Sequence, residues 1–123
     1  MRKILCVDDE EMVLHTFRRV LEHHGYHVRT ATNGNDALAA IRGDHEIDML
    51  IIDFFMPGEN GLDTIARIRQ THPRLPITMI TGYGTEEIRQ RVMDDYGCGY
   101  LIKPVSSADL ISNIKQHAPL NPQ

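Results

Sequence analysis

Short apolar runs recur along the chain with turn residues and helical patterns between them. Ile4-Leu5-Cys6-Val7 and Met49-Leu50-Ile51-Ile52 are too short for helices and show no polar alternation. Runs of this kind are strands buried on both faces, as in a parallel sheet. Ile77 to Ile80 and Tyr100-Leu101-Ile102 read as two more strands, and Val28 marks a fifth, short one. Between strands the period changes to that of a helix. Val13, Phe17, Val20 and Leu21 form one apolar face, and Gly25 supplies the stop. Ala37, Leu38 and Ile41 predict a small helix ending at Gly43. Met56-Pro57-Gly58-Glu59-Asn60-Gly61 is turn chemistry throughout. The helix after it buries Leu62, Ile65 and Ile68 and stops before Pro73. Thr85 caps the next, with Glu86 and Glu87 in its first turn and Gly97 closing it. Ser106 or Ser107 caps the last, which buries Leu110, Ile111 and Ile114.

Five βα units in strict alternation imply a parallel sheet with helices on both faces, joined by right-handed crossovers. A length of 123 residues accommodates one such domain. It is expected over residues 1–118, with 119–123 as a frayed tail or linker stub. Thirteen basic against seventeen acidic residues leave a net charge of −4. That balance disfavours a nucleic-acid surface, which needs clustered Lys and Arg. No apolar stretch approaches the roughly 20 residues that span a bilayer, and Met1-Arg2-Lys3 leads into a strand rather than a signal-peptide core. Cys6 in a strand and Cys98 in a loop suggest reduced thiols and a cytoplasmic protein.

The chemistry lies at the strand ends. Asp8 and Asp9 follow the first apolar run and Asp53 the third strand, with Thr81 and Lys103 closing the fourth and fifth. In open parallel sheets ligands bind beyond these carboxyl ends. Two carboxylates about 4 Å apart repel by roughly 4 kcal/mol at an effective dielectric near 20, so such a nest implies a cation, a proton or a use. Each residue taken alone has a plainer explanation. Asp8 and Asp9 can be helix-capping acids, Asp53 a loop acid, Lys103 a solvated lysine, Thr81 a hydroxyl bonded to backbone and Tyr100 simple packing. The seven histidines complete no metal motif, and Glu10 and Glu11 read as solvated.

Taken in order, Asp8-Asp9, Asp53, Met56-Pro57-Gly58 with Gly61, Thr81-Gly82 and Tyr100-x-x-Lys103-Pro104 resemble the receiver domain of two-component response regulators, the CheY-like family. The resemblance covers essentially the whole chain and implies the flavodoxin-like strand order 2-1-3-4-5. It implies that Asp53 accepts a phosphoryl group. Mg²⁺, or Mn²⁺ in its place, would be held by Asp9, Asp53 and the Phe55 backbone carbonyl directly and by Asp8 through water. Lys103 would contact the phosphoryl group, the Thr81 hydroxyl would bond it after transfer, and Tyr100 would change rotamer in response. The Lys103–Pro104 peptide would be cis. Phe55 and Tyr83 would stand at the mouth of the site and lengthen the phosphate's lifetime.

The partners implied are a sensor histidine kinase or phosphotransfer protein and a separate effector or output domain, with a phosphorylation-dependent dimer open. The chain would be a switch and not an enzyme, although it assists its own phosphorylation and dephosphorylation. Two other classes fit less well. A haloacid-dehalogenase-type enzyme wants a second Asp where Phe55 stands, and a flavodoxin relative would meet its flavin phosphate with the repulsive run Asp8-Asp9-Glu10-Glu11. A receiver-like interaction module that never meets phosphate also remains open.

Overall fold

The computed structural model describes residues 2–82 and 84–117. The apolar runs form strands β1 (Lys3–Val7), β2 (His27–Ala31), β3 (Ile47–Ile52), β4 (Ile77–Thr81) and β5 (Gly99–Ile102). All pair in parallel, in the order β2-β1-β3-β4-β5. The helices between them are α1 (Glu11–His23), α2 (Gly34–Gly43), α3 (Gly61–Thr71), α4 (Glu86–Gln90) and α5 (Ser107–His117).

Alternate side chains on each strand point to opposite faces, and that period builds two cores. Leu5, Val7, Leu50, Ile52 and Met79 pack against α2 and α3 through Leu38, Ile41, Leu62, Ile65 and Ile68. Ile4, Cys6, Met49, Ile51 and Ile80 meet α1 and α5 through Leu14, Leu21, Leu110, Ile111 and Ile114. Central β1, β3 and β4 are therefore almost wholly buried, whereas β5 at the edge is not.

Local stops and caps match the chemistry of the residues that make them. Gly25 and Gly97 take φ values of +91° and +64°, which only glycine adopts at little cost. Asn33, Asn60 and Thr85 accept N–H bonds from Asp36, Asp63 and Ile88 and so cap α2, α3 and α4. A cap of this kind contributes about 1 kcal/mol.

The structure corrects several details. On α1 the most deeply buried residues are Leu14 and Leu21, seven apart, while Val13, Phe17 and Val20 are only partly covered. The helix expected from Thr85 to Gly97 is α for five residues and then widens into a π turn over Arg91–Asp95. Ser106 caps α5, its hydroxyl accepting the Asp109 N–H at 3.0 Å, so Ser107 is the first helical residue. Cys98 sits in a loop as expected but is buried, and neither thiol is in a disulfide. The proposed tail 119–123 lies outside the described residues. Among the described residues no helix is long and apolar enough to cross a membrane.

Candidate functional site

Parallel pairing continues one residue past β1, β3 and β5 and thereby assembles the site. The Asp8 N–H donates to Ala31 at 3.2 Å, that of Asp53 to Val7 at 3.0 Å and that of Lys103 to Thr81 at 2.9 Å. These ladder bonds aim the side chains that follow β1, β3 and β5 over the carboxyl edge of the sheet. Asp8, Asp53 and Thr81 are all buried there. The Lys103 ammonium donates to Asp8 Oδ2 at 2.8 Å and to Asp53 Oδ2 at 3.4 Å. One cation thus bridges two buried carboxylates that are 95 and 50 residues away in sequence.

The remaining oxygens are also engaged. Asp8 Oδ1 accepts the Glu10 N–H at 2.9 Å and Asp53 Oδ1 the Phe54 N–H at 2.7 Å. Burial pushes the Asp8 carboxyl above its ordinary range, and its bonds from Lys103 and Glu10 do not cancel that rise. Burial by itself would lower the Lys103 ammonium, but its bond to Asp8 and the charge of Asp53 outweigh it and the net shift is upward. The acidic pair is not a helix cap: α1 begins after Glu10, and no side chain caps it.

Asp9 and Glu10 lie on the exposed side of this nest. Asp8, Asp9 and Glu10 each offer a carboxylate oxygen within 4.8 Å of the others. Glu10 is exposed, as expected of a solvated residue, and the turn closed by Asp8 brings it to the cluster. A set of carboxylate oxygens with one side open suits a hard divalent cation that keeps water ligands, which is the chemistry of Mg²⁺. Asp8 and Asp9 of the implied set, with Glu10 beside them, therefore fit the implied metal.

The Lys103–Pro104 peptide is cis. Phe55 is 49% exposed, its ring edge-on to that of Phe54 with centroids 5.0 Å apart. Tyr83 lies outside the described residues. Gly61 makes the tightest backbone approach: a Cβ there would stand 2.1 Å from the Asp53 carbonyl oxygen.

A family model described as the response regulator receiver domain matches residues 4–115. The chain belongs to this family. It is 36% identical over 115 residues to the transcriptional regulatory protein CpxR of Klebsiella pneumoniae, covering 94% of this chain and 48% of that protein. The chain therefore spans about half the length of the curated relatives it matches. A receiver domain protein from Clostridium thermocellum superposes with a TM-score of 0.90 at 30% identity, over 95% of this chain and 94% of that one. The response regulator TrrA of Thermotoga maritima, solved with Mg²⁺-BeF, matches with a TM-score of 0.85 at 29% identity, over 94% and 98% of the two chains.

In this receiver Tyr100 occupies a slot that sequence did not reveal. Its hydroxyl oxygen is sealed from solvent and has no hydrogen-bond partner among the described residues. The space exists because residue 84 is glycine: a Cβ on Gly84 would stand 1.5 Å from that oxygen. The far end of a side chain yields more readily than backbone, so Gly84→Ala should leave the fold intact and turn the Tyr100 ring outward. Fluorine NMR of the chain labelled with fluorotyrosine reads this as a shifted Tyr100 resonance. An unmoved resonance would show that the ring is not held by the empty position.

Proposed function

We propose that the chain is a phosphoacceptor switch in which Asp53 takes a phosphoryl group from a phosphohistidine on a sensor kinase or phosphotransfer protein. The observation that carries this is the single Lys103 ammonium bridging Asp8 and Asp53 at the carboxyl edge of the sheet. An Asp53 carboxylate oxygen forms the new bond to phosphorus, and the donor's phosphorus–nitrogen bond breaks with its electron pair leaving on the imidazole. Lys103 then offsets charge on the transferred group as a point donor. Asp9 and Asp53 would hold Mg²⁺ directly with the Phe55 carbonyl, and Asp8 through water. The metal supplies Lewis-acid charge neutralisation for the incoming phosphoryl oxygens. Thr81 would bond the phosphoryl group afterwards and draw on Tyr100, changing the face built from α4, β5 and α5.

This reading makes the chain a signalling switch and not an enzyme, acting on an effector or output module that its relatives' greater length accommodates. A dimer formed on phosphorylation uses the same face. The two buried free thiols support a reducing, cytoplasmic setting. Incubation with Mg²⁺ and acetyl phosphate followed by intact mass tests the reading: one added phosphoryl group is expected, and none would refute it.

Metal dependence separates the acids. Asp9→Ala should raise the Mg²⁺ concentration needed for half-maximal labelling about ten-fold or more, whereas Glu11→Ala, on the exposed first turn of α1, should leave it near the parent value. Equal effects of the two would remove Asp9 from the metal's ligands.

Large rings at positions 55 and 83, which the family resemblance assigns to the mouth of the site, would exclude the hydrolytic water without offering a base, since a phenol with pKa near 10 is a poor one at neutral pH. An effect of about 1–2 kcal/mol on the barrier corresponds to a roughly five- to thirty-fold longer lifetime. Phe55→Asn with Tyr83→Glu should lose phosphate faster by that factor in a dephosphorylation time course. An unchanged rate would show that the rings do not shield the site.

A further inference from the structure

The loop from Phe54 to Asn60, between β3 and α3, joins the acceptor to the first turn of a helix. Pro57 and Gly58, the latter at φ +84°, make it a turn with little structure of its own. Near Asp53 it is fastened by backbone, the Gly61 N–H donating to the Phe54 carbonyl at 2.7 Å. At its far side Asn60 caps α3, its carbonyl also accepting from Thr64, and one carboxylate adds a further fastening. Glu59 Oε1 accepts the Thr64 hydroxyl at 2.8 Å, and its two oxygens accept from Arg67 Nη1 at 2.9 and 3.1 Å. Thr64 is fully buried, and Arg67 reaches on to Asn35 of α2 at 3.2 Å. The first turn of α2 closes over this junction: a Cβ on Gly34 would stand 2.3 Å from the Thr64 hydroxyl oxygen and 2.9 Å from Glu59 Oε1.

We propose that Glu59, Thr64 and Arg67 are positioning residues for the metal, clamping the loop so that the Phe55 carbonyl is presented to it. The proposal rests on the reading that Mg²⁺ binds beside Asp53. The pair is too exposed to be explained by stability, since side chains 27% and 40% accessible make an ion pair contributing about 0–1 kcal/mol. What two donors making three hydrogen bonds to one carboxylate do is fix a point in the chain. Glu59 stands four residues after Phe55, and the short path between them holds a proline with a fixed φ and a turn bond from the Glu59 N–H to the Pro57 carbonyl at 3.1 Å. Movement at Glu59 is therefore passed to Phe55. Mg²⁺ tolerates little departure from octahedral geometry, so a loop that must first be ordered lowers its affinity.

Calorimetric titration of Mg²⁺ into the whole chain tests this with Glu59→Gln, Arg67→Met and Thr64→Val, each close in size to the parent residue. Kd should rise about three- to ten-fold, below the range seen when a metal ligand loses its own hydrogen-bond partner. Glu59→Gln combined with Arg67→Met should be no worse than either alone, because both break one contact. Arg2→Ala, which breaks the Arg2–Asp48 pair at 3.1 Å near the opposite edge of the sheet, should leave Kd unchanged. A parent chain that binds Mg²⁺ while the three clamp variants keep its Kd overturns the clamp. A rise in Kd that Arg2→Ala reproduces also overturns it, since general loosening would then be the cause. A parent chain that binds no Mg²⁺ overturns the metal reading, and the clamp with it.

Discussion

Asp53→Asn should acquire no phosphoryl group under conditions in which the parent chain is fully labelled. The carboxamide is close in shape but is not a nucleophile at neutral pH, and among the described residues the only other carboxylate paired with Lys103 is Asp8. The fold should survive. The carboxamide oxygen can keep the bond from the Phe54 N–H, made at 2.7 Å by Asp53 Oδ1, and one negative charge leaves a crowded acidic nest. The unfolding midpoint in urea should therefore be equal to the parent's or higher. Intact mass after incubation with acetyl phosphate and Mg²⁺ reads the labelling. Stoichiometric modification of the variant at another residue would overturn Asp53 as the acceptor.

Gly61→Ala is expected to be the most damaging single methyl near the site. The added carbon would meet the Asp53 carbonyl oxygen at 2.1 Å, its carbon at 3.0 Å and the Phe54 Cα at 3.1 Å, all of them backbone. None of these can rotate away. The segment is tied on both sides, by the Asp53 N–H to Val7 and by the Gly61 N–H to Phe54. Relief must therefore shift the acceptor itself. A loss of about 1–3 kcal/mol in stability follows from such overpacking. A displacement approaching 1 Å at the nucleophile should slow phosphorylation on the order of a hundred-fold. Gly43→Ala is the matching control: a Cβ there meets nothing within 4 Å, so stability should be unchanged or rise by up to about 1 kcal/mol, with labelling unaffected. Denaturant titration and a labelling time course on the two variants check both halves. If Gly61→Ala is labelled at the parent's rate, the contact does not govern the acceptor's position.

Much of this molecule was legible along the chain, because strands buried on both faces leave near-continuous apolar runs that little else explains. Ile4 to Val7 and Met49 to Ile52 announced two central strands, and the helical spacing of Leu62, Ile65 and Ile68 announced a helix above them. Once the strands were placed, Asp9, Asp53, Thr81 and Lys103 fell at their carboxyl ends by counting alone. Residues whose surroundings come from distant segments were not legible. Periodicity favoured Val13 over Leu14, but the direction from which α5 and the sheet approach α1 decides which of two neighbours is covered. Sequence places Glu59 only in a turn; it is α3 that brings Thr64 and Arg67 to it, and Gly34 of α2 that closes above. Tyr100 by its own pattern is strand packing and by resemblance a switch, and only the return of the loop carrying Gly84 shows the slot that takes its hydroxyl. Local pattern determined which segments are strands and helices, and hence which residues stand at strand ends. Side-chain pairing across 95 residues, as between Asp8 and Lys103, depends on where parallel crossovers set each strand beside the next, and that was decided by the tertiary structure alone.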